Sequence, residues 1–218
     1  MLKKFLNYFT KGEIALWLCS VTAITVSFLI FDRTGWLKLA ASLIGITALI
    51  FNAKGNPAGQ ILIIIFSALY GIISYSFAYY GEMITYMGMS APMALLAFIS
   101  WIRNPYNGNR SEVRVNRIKR GEVVFMLILT AAVTVAFYFI LERFGTVSVT
   151  TSFIAVYLTF RRSEFYALAY AANDIILIVL WVMAAFSDIS CLSVIICFAM
   201  FLMNDLYGFI SWRKMRKR

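Results

Sequence analysis

Histidine is missing from this chain, and cysteine and acidic residues are scarce. Its 218 residues include no histidine, three cysteines and ten acidic residues. Without histidine, neither the common zinc-protease motif nor a serine–histidine pair can form, and no phosphate-cradling glycine loop is present. The cysteines, Cys19, Cys191 and Cys197, lie inside apolar runs without metal-ligand spacing. We therefore expect no enzyme activity, no metal, no cofactor and no disulfide framework.

Charge of either sign is also rare. Charged residues make up 14% of the chain, whereas hydrophobic residues make up 62% and aromatic residues 17%. Soluble domains are about half apolar and about a quarter charged, so this is a membrane composition. The net charge of +10 does not indicate a nucleic-acid partner, because the basic residues form short clusters between apolar runs. The expected surroundings are a lipid bilayer.

Eight apolar runs approach the length of about 20 residues that crosses a bilayer as a helix. They cover residues 14–31, 36–51, 57–80, 82–101, 122–141, 146–160, 163–186 and 190–212. The first run is longer than a signal-peptide core and has no small-residue cleavage site, so it is interpreted as a membrane helix. The longest connection, at 102–121, is too short and too charged to form a soluble domain.

The distribution of lysine and arginine predicts the orientation. If the N-terminus is cytoplasmic and the spans alternate, nearly all of the 20 basic residues face the cytoplasm. Only Arg33, Lys38 and Arg143 fall on or near the outer side. This asymmetry is typical of inner-membrane proteins, which retain positive loops inside. We expect a multi-pass protein of the plasma membrane with both termini in the cytoplasm.

The sequence Phe-Ile-Ser-Trp closes two of the runs, at Trp101 and at Trp212. Each copy ends a group of three spans, and a tryptophan followed by basic residues is a typical interfacial anchor. Two such groups can have the same orientation only if one more span lies between them. The predicted plan is an N-terminal helix (1–35), a three-helix repeat (36–101), a basic loop with a linker helix (102–145) and a second repeat with a basic tail (146–218).

Two acidic residues lie inside predicted spans. Asp174 is central in the seventh span, Asp205 is near the cytoplasmic end of the eighth, and each follows an asparagine. A charged side chain at mid-membrane costs about 2.5–3.5 kcal/mol on insertion scales, so it indicates a functional site. No lysine or arginine is embedded deeply enough to pair with either acid.

Helical spacing groups further polar and aromatic side chains with these acids. Tyr170, Asp174 and Trp181 share one face of the seventh span, and Tyr70 and Ser74 share one side of the third. Such a set suits a ligand with an aromatic ring and sugar hydroxyls. The candidate substrate-binding residues are Asn173, Asp174, Trp181, Tyr170, Asn204, Asp205, Tyr207, Tyr70, Gln60, Ser74 and Thr151. The alternative is that the amides and hydroxyls only hold helices together.

Three stretches carry a resemblance to a known family. They are LYGIISYSFAYYGEM (69–83), YAANDIILIVLWVMA (170–184) and FLMNDLYGFISWRKM (201–215). They resemble the PnuC-type vitamin transporters, whose best-known members take up nicotinamide riboside. The chain departs from this pattern in APMALL, where Ala94 replaces the glutamine of many relatives.

The resemblance implies an all-α integral membrane protein with a SWEET-like parallel repeat of two three-helix bundles, a linker helix and an extra N-terminal helix. It implies facilitated diffusion of nicotinamide riboside by alternating access, trapping by cytoplasmic phosphorylation, and a homotrimer. Thiamine, riboflavin or a deoxynucleoside remains possible as the small-molecule substrate. A channel or a structural membrane subunit is the alternative from another functional class.

Overall fold

The computed structural model describes residues 8–76, 80–139 and 143–218. Its helices are α1 (Lys11–Phe31), α2 (Trp36–Ala53), α3 (Ala58–Ser76), α4 (Tyr80–Ile84), α5 (Ala91–Ile102), α6 (Arg120–Tyr138), α7 (Arg143–Phe160), α8 (Tyr166–Ala185) and α9 (Leu192–Arg216). A π-helical turn, Thr85–Ser90, joins α4 to α5, and a 3₁₀ turn, Ile189–Cys191, precedes α9. The predicted inner residues Lys3 and Lys4 and the end of the predicted fifth span, at 140–141, lie outside the described residues.

The prediction of an all-α membrane protein with about eight spans is confirmed. Among the described residues, seven helical segments are long and apolar enough to cross a membrane. An eighth apolar helix, Val147–Phe160, is shorter, as its sequence predicts. The first helix begins at a capping box, in which Thr10 and Glu13 exchange side-chain and backbone hydrogen bonds.

Helix contacts follow the same pattern in the two halves of the chain. The first helix of each half packs on the second and the second on the third, which gives α2–α3 and α3–α5 in one half and α7–α8 and α8–α9 in the other. Between the halves, α9 packs on α2 and α5 packs on α7. The linker α6 packs on α7, and α1 packs on α2 and α9. The parallel repeat that the sequence suggests stays a prediction, and this pattern is compatible with it.

A short β-hairpin follows α5 in the basic loop and is missing from the sequence prediction. Strands β1 (Pro105–Tyr106) and β2 (Asn109–Val113) pair antiparallel. The turn consists of Asn107 and Gly108, both with positive φ (47° and 77°), which is the favoured Asn-Gly hairpin turn. Val113 is buried, and its N–H donates to the Gly55 carbonyl at 2.9 Å. The hairpin therefore packs on the loop between α2 and α3.

The loops and termini define two ends of the bundle. At one end, called the basic end below, the hairpin meets the α2–α3 loop, Asn116 N–H donates to the carbonyl of Arg162, and Arg218 pairs with Glu112. The opposite end carries the α1–α2 loop and the residues that follow α8, including Asp188.

Candidate functional site

A cavity of about 200 Å³ opens between α2, α3, α8 and the start of α9, at the end opposite the basic end. The predicted site residues Tyr70, from α3, and Trp181, from α8, are both part of its wall. The lining consists of Lys38, Ser42, Tyr70, Ile73, Trp181, Ala184, Ser187, Asp188, Cys191 and Val194. Two aromatic side chains from different halves of the chain thus face one space that a flat ring can enter.

The rim of this cavity carries one basic and one acidic side chain, Lys38 and Asp188. Lys38 pairs with the buried carboxylate of Asp32 at 2.8 Å. Asp188 is exposed, and it accepts hydrogen bonds from the N–H and the hydroxyl of Ser190 at 2.9 and 2.8 Å. These hydrogen bonds hold the pKa of Asp188 below its usual range. An ionised carboxylate therefore remains at the mouth, where it favours the approach of a cation.

The two intramembrane acids lie deeper in the bundle and close together. Asp174, on α8, and Asp205, on α9, are each 4% exposed, and their carboxyl groups lie within hydrogen-bonding range of each other. Neither forms an ion pair with any residue in the described part of the chain. The sequence prediction placed them on separate helices without pairing them, and the packing of α8 on α9 brings them together.

Some buried polar atoms near the cavity and the acids have no hydrogen-bond partner among the described residues. They include the Ser67 hydroxyl and one carboxyl oxygen, Oδ2, of Asp174. Most buried polar side chains in folded proteins are hydrogen-bonded, and unsatisfied ones require an explanation. A polar ligand that reached these two atoms would satisfy them.

Three of the predicted residues bond to other helices instead. Thr151 and Ser152, on α7, donate to Asn173 Oδ1 at 2.8 and 3.0 Å, and so clamp α7 to α8. Gln60 donates to the side-chain oxygen of Asn52 at 2.9 Å, which links the start of α3 to the end of α2. These contacts match the helix-holding alternative for Asn173, Thr151 and Gln60.

Two more of the predicted residues form hydrogen bonds with the N-terminal helix, α1. Asn204 donates to the Ser20 hydroxyl at 3.0 Å, and the Tyr207 hydroxyl donates to Glu13 at 2.9 Å. Glu13 also pairs with Lys54 at 3.1 Å. Asn204 and Tyr207 therefore fasten α9 to α1.

Tyr170 and Ser74, the last two candidates, flank the polar region. Ser74 is buried one helical turn beyond Tyr70, on α3. Tyr170 lies toward the basic end, with its ring centroid 6.2 Å from that of Tyr166. The structure thus gathers Tyr70, Ser74 and Trp181 near the cavity.

The expectation that Trp101 and Trp212 anchor the protein in the membrane interface is wrong. Both are buried, at 1% and 0% exposure, with their ring centroids 5.3 Å apart between the two halves. Trp36, which is 62% exposed, has the exposure of an anchor. A tryptophan beside basic residues does not by itself reveal whether it faces lipid or a neighbouring helix.

The sequence interpretation missed the polar rim of the cavity, including Ser42 and Asp188. In the sequence, Asp188 is one acid in a short loop and Ser42 is one hydroxyl in an apolar run, so neither indicates a site. Their role depends on the loop after α8 reaching α2, which no local pattern in the sequence specifies.

Comparison with known proteins places the chain among membrane carriers. It is 29% identical over 216 residues to a nicotinamide riboside transporter PnuC from Neisseria mucosa, covering 94% of this chain and 82% of that protein. It is 22% identical over 185 residues to a protein of the same name from Haemophilus influenzae, covering 84% and 81%.

A crystal structure of the vitamin B3 transporter PnuC has the same fold. It matches with a TM-score of 0.84 at 24% identity, over 96% of this chain and 94% of that one. Residues 35–214 match the family model described as nicotinamide mononucleotide transporter. Because that match spans most of the sequence, the chain belongs to the nicotinamide mononucleotide transporter family, as its resemblance to PnuC-type transporters predicts.

Proposed function

We propose that this protein carries nicotinamide riboside across the bacterial inner membrane into the cell. The observation that carries the proposal is the cavity between Tyr70 and Trp181, which lies in the same bundle as two buried acids that have no cationic partner among the described residues. Nicotinamide riboside joins a flat pyridinium cation to a ribose with several hydroxyls. The names of the two relatives support the same substrate.

The aromatic side chains suit the ring of this substrate. Trp181 and Tyr70 line the cavity from two helices, and faces of aromatic rings attract cations by a cation–π interaction. In our proposal the pyridinium ring enters between them, past the ionised Asp188 at the rim. The exposed carboxylate of Asp188 then attracts the cation to the mouth, where Lys38 is already paired with Asp32.

The ribose is proposed to reach the polar region below. At about 200 Å³, the cavity is smaller than the roughly 300 Å³ of the smallest common ligand pockets. In our proposal the riboside extends beyond the cavity, deeper into the bundle toward Asp174 and Ser67. The Asp174 Oδ2 atom and the Ser67 hydroxyl, which have no hydrogen-bond partner among the described residues, can bind ribose hydroxyls there, and Asp205 and Tyr170 complete this polar region.

We place the basic end in the cytoplasm, as the positive-inside argument predicts. The cavity then opens to the outside. Transport by facilitated diffusion would alternate access between the two halves, and phosphorylation of the riboside in the cytoplasm would trap it. A homotrimer is also proposed, on family resemblance. No enzymatic step by this chain is required.

A binding titration of the purified protein tests the substrate. Nicotinamide riboside, thiamine, riboflavin and a deoxynucleoside are compared by isothermal calorimetry in the same detergent. We expect the riboside to bind at least about tenfold more tightly than the other three, because only it combines a small cationic ring with a ribose. Tighter binding of another compound would replace the proposed substrate.

Reconstituted vesicles separate a carrier from a channel. A carrier gives saturable uptake of the labelled riboside, and it gives no ion current in a planar bilayer. Uptake that rises linearly with concentration, together with single-channel currents, would show that the protein is a pore.

A further inference from the structure

The two Phe-Ile-Ser-Trp segments form matching hydrogen bonds across the boundary between the halves. The Trp101 indole N–H, on α5, donates to the carbonyl of Thr159, near the end of α7, at 3.0 Å. The Trp212 indole N–H, on α9, donates to the carbonyl of Asn52, near the end of α2, at 2.8 Å. In both cases the third helix of one half bonds to the last turn of the first helix of the other half.

The similarity of these two contacts explains why a tryptophan closes both halves. Tryptophan supplies a ring large enough to bridge the helices and one N–H to bond a carbonyl oxygen. Serine adds a further link in the first copy, where the Ser100 hydroxyl donates to the Phe160 carbonyl at 3.0 Å. We call the Trp101 and Trp212 contacts together the tryptophan clasp.

The clasp closes the basic end of the bundle. The Trp101 and Trp212 rings lie against each other, and the Trp212 ring also contacts Tyr166, at a centroid distance of 4.8 Å. All three side chains are at most 1% exposed. The neighbouring Ala167 is fully buried. These four side chains are therefore sealed from solvent, whereas the cavity beside Trp181 is open at the other end.

We propose that the tryptophan clasp is the cytoplasmic gate of the transporter, an inference that rests on the proposed function. A carrier that alternates access must separate its halves at the basic end to release substrate there. Both indole hydrogen bonds cross that boundary, so both must break when the end opens. They stabilise the outward-open arrangement without fixing it, because each buried hydrogen bond biases such an equilibrium by only about fivefold.

The experiment measures the accessibility of one thiol at each end in membrane vesicles. Cys191, which lines the cavity, reports on the outer end when Cys19 and Cys197 are replaced by alanine. Ala167→Cys in a background without the three native cysteines reports on the basic end. Gly208 faces Ala167 and leaves room for the thiol, since even a Cβ atom at Gly208 would lie 3.6 Å from the Ala167 Cβ. An impermeant maleimide is applied to right-side-out vesicles for the first reporter and to inside-out vesicles for the second.

Trp101→Phe and Trp212→Phe remove the N–H and keep an aromatic ring. Each is expected to raise the rate of labelling at position 167 by up to about fivefold and to lower the rate at Cys191. Ser100→Ala, which disturbs packing less, should change both rates in the same directions by a smaller factor. It keeps the test decisive if a tryptophan variant does not fold.

Trp17→Phe is the matched control. Trp17 donates its indole N–H to the Thr47 hydroxyl at 3.2 Å, but this bond joins α1 to α2 and does not cross between the halves. The Trp17→Phe variant should therefore leave both labelling rates unchanged. Three results would overturn the proposed gate. They are equal labelling in wild type and clasp variants, a rise in labelling at both reporters together, and the same effect in Trp17→Phe.

The labelling is performed without substrate, so it is independent of which compound is carried. If the titration identifies another ligand while the opposite shifts at the two reporters are observed, the gate stands and the substrate assignment fails. If nicotinamide riboside binds while the reporters do not respond, the gate fails and the substrate assignment stands.

Discussion

Asp174 is a buried acid with little compensation from its surroundings. It is 4% exposed, its Oδ2 atom has no hydrogen-bond partner in the described part of the chain, and its nearest acidic neighbour is Asp205. A cationic ligand would relieve both the missing partner and the proximity of a second carboxyl. The affinity for a cationic ligand should therefore depend more on the charge of Asp174 than on its shape.

Asp174→Asn tests this directly, because it keeps the shape and removes the charge. Affinity for nicotinamide riboside should fall by about 2 kcal/mol, or roughly 30-fold, whereas affinity for its neutral dihydro form should change little. Calorimetry with the two ligands measures the difference. Equal losses for both forms would show that Asp174 acts through shape or hydrogen bonding and not through charge.

Trp181 makes the second prediction at this scale. If its indole stacks on the pyridinium ring, Trp181→Ala should weaken binding by about 1–3 kcal/mol, the range for stacking of bases on aromatic side chains. Trp36→Ala serves as the control, because Trp36 is an exposed tryptophan and does not line the cavity. An unchanged affinity in a folded Trp181→Ala protein would remove this side chain from the site.

Helical spacing could find the residues but not their partners. It placed Tyr170, Asp174 and Trp181 on one face of α8, because the period of a helix is fixed. It did not distinguish Asn173, which is bonded by Thr151, from its neighbour Asp174, since both are polar residues inside an apolar run. The partner depends on which helix packs alongside, and that is a property of the assembled bundle.

Two elements escaped prediction for different physical reasons. The hairpin at 105–113 has an Asn-Gly turn that the sequence displays, but its strands are short and only Val113 is buried. The π-helical turn Thr85–Ser90 has no comparable local signal. It lies where α3 approaches closely: a Cβ atom at Gly71 would come within 2.6 Å of the Met87 Cγ atom. Tertiary packing, and not local preference, accounts for that turn.

The α7–α8 clamp supplies the prediction at the scale of elements. Thr151→Val and Asn173→Ala each remove one side of the hydrogen bond between these helices. A double-mutant cycle on thermal unfolding in detergent should give a coupling of about 0.6 kcal/mol, and not more than about 1.7 kcal/mol, as for other intramembrane hydrogen bonds. Riboside affinity should remain within about threefold of wild type.

The adjacent threonine is the control for this cycle. The Thr150 hydroxyl bonds to Thr134 on the linker α6 at 2.8 Å and not to Asn173. Thr150→Val should therefore show no coupling to Asn173→Ala. A large loss of riboside affinity in Thr151→Val or Asn173→Ala would instead return these two residues to the substrate site.

The charged residues of the molecule form ion pairs that join its elements, in addition to indicating its orientation in the membrane. At the basic end, Lys54 pairs with Glu13, and Arg161, Arg216 and Arg218 pair with Glu122, Glu164 and Glu112. These pairs join the loops and the C-terminal helix to one another. In the sequence the basic clusters indicate only topology, because the acids that pair with them lie too far away along the chain to be matched by pattern.

Orientation is the prediction that belongs to the whole molecule. With the basic end in the cytoplasm, Asn109→Cys in the hairpin turn region and Lys217→Cys in the tail should be protected from an impermeant maleimide in intact cells. Asp188→Cys, at the opposite end, should be labelled. All three positions are exposed, so the side of the membrane decides the labelling, provided that the three native cysteines are first replaced. Permeabilised cells, in which all three variants must react, give the control. Labelling at Asn109 and Lys217 with protection at Asp188 would show the opposite orientation in the membrane. The cavity beside Trp181 would then open to the cytoplasm, and the tryptophan clasp would lie at the outer side.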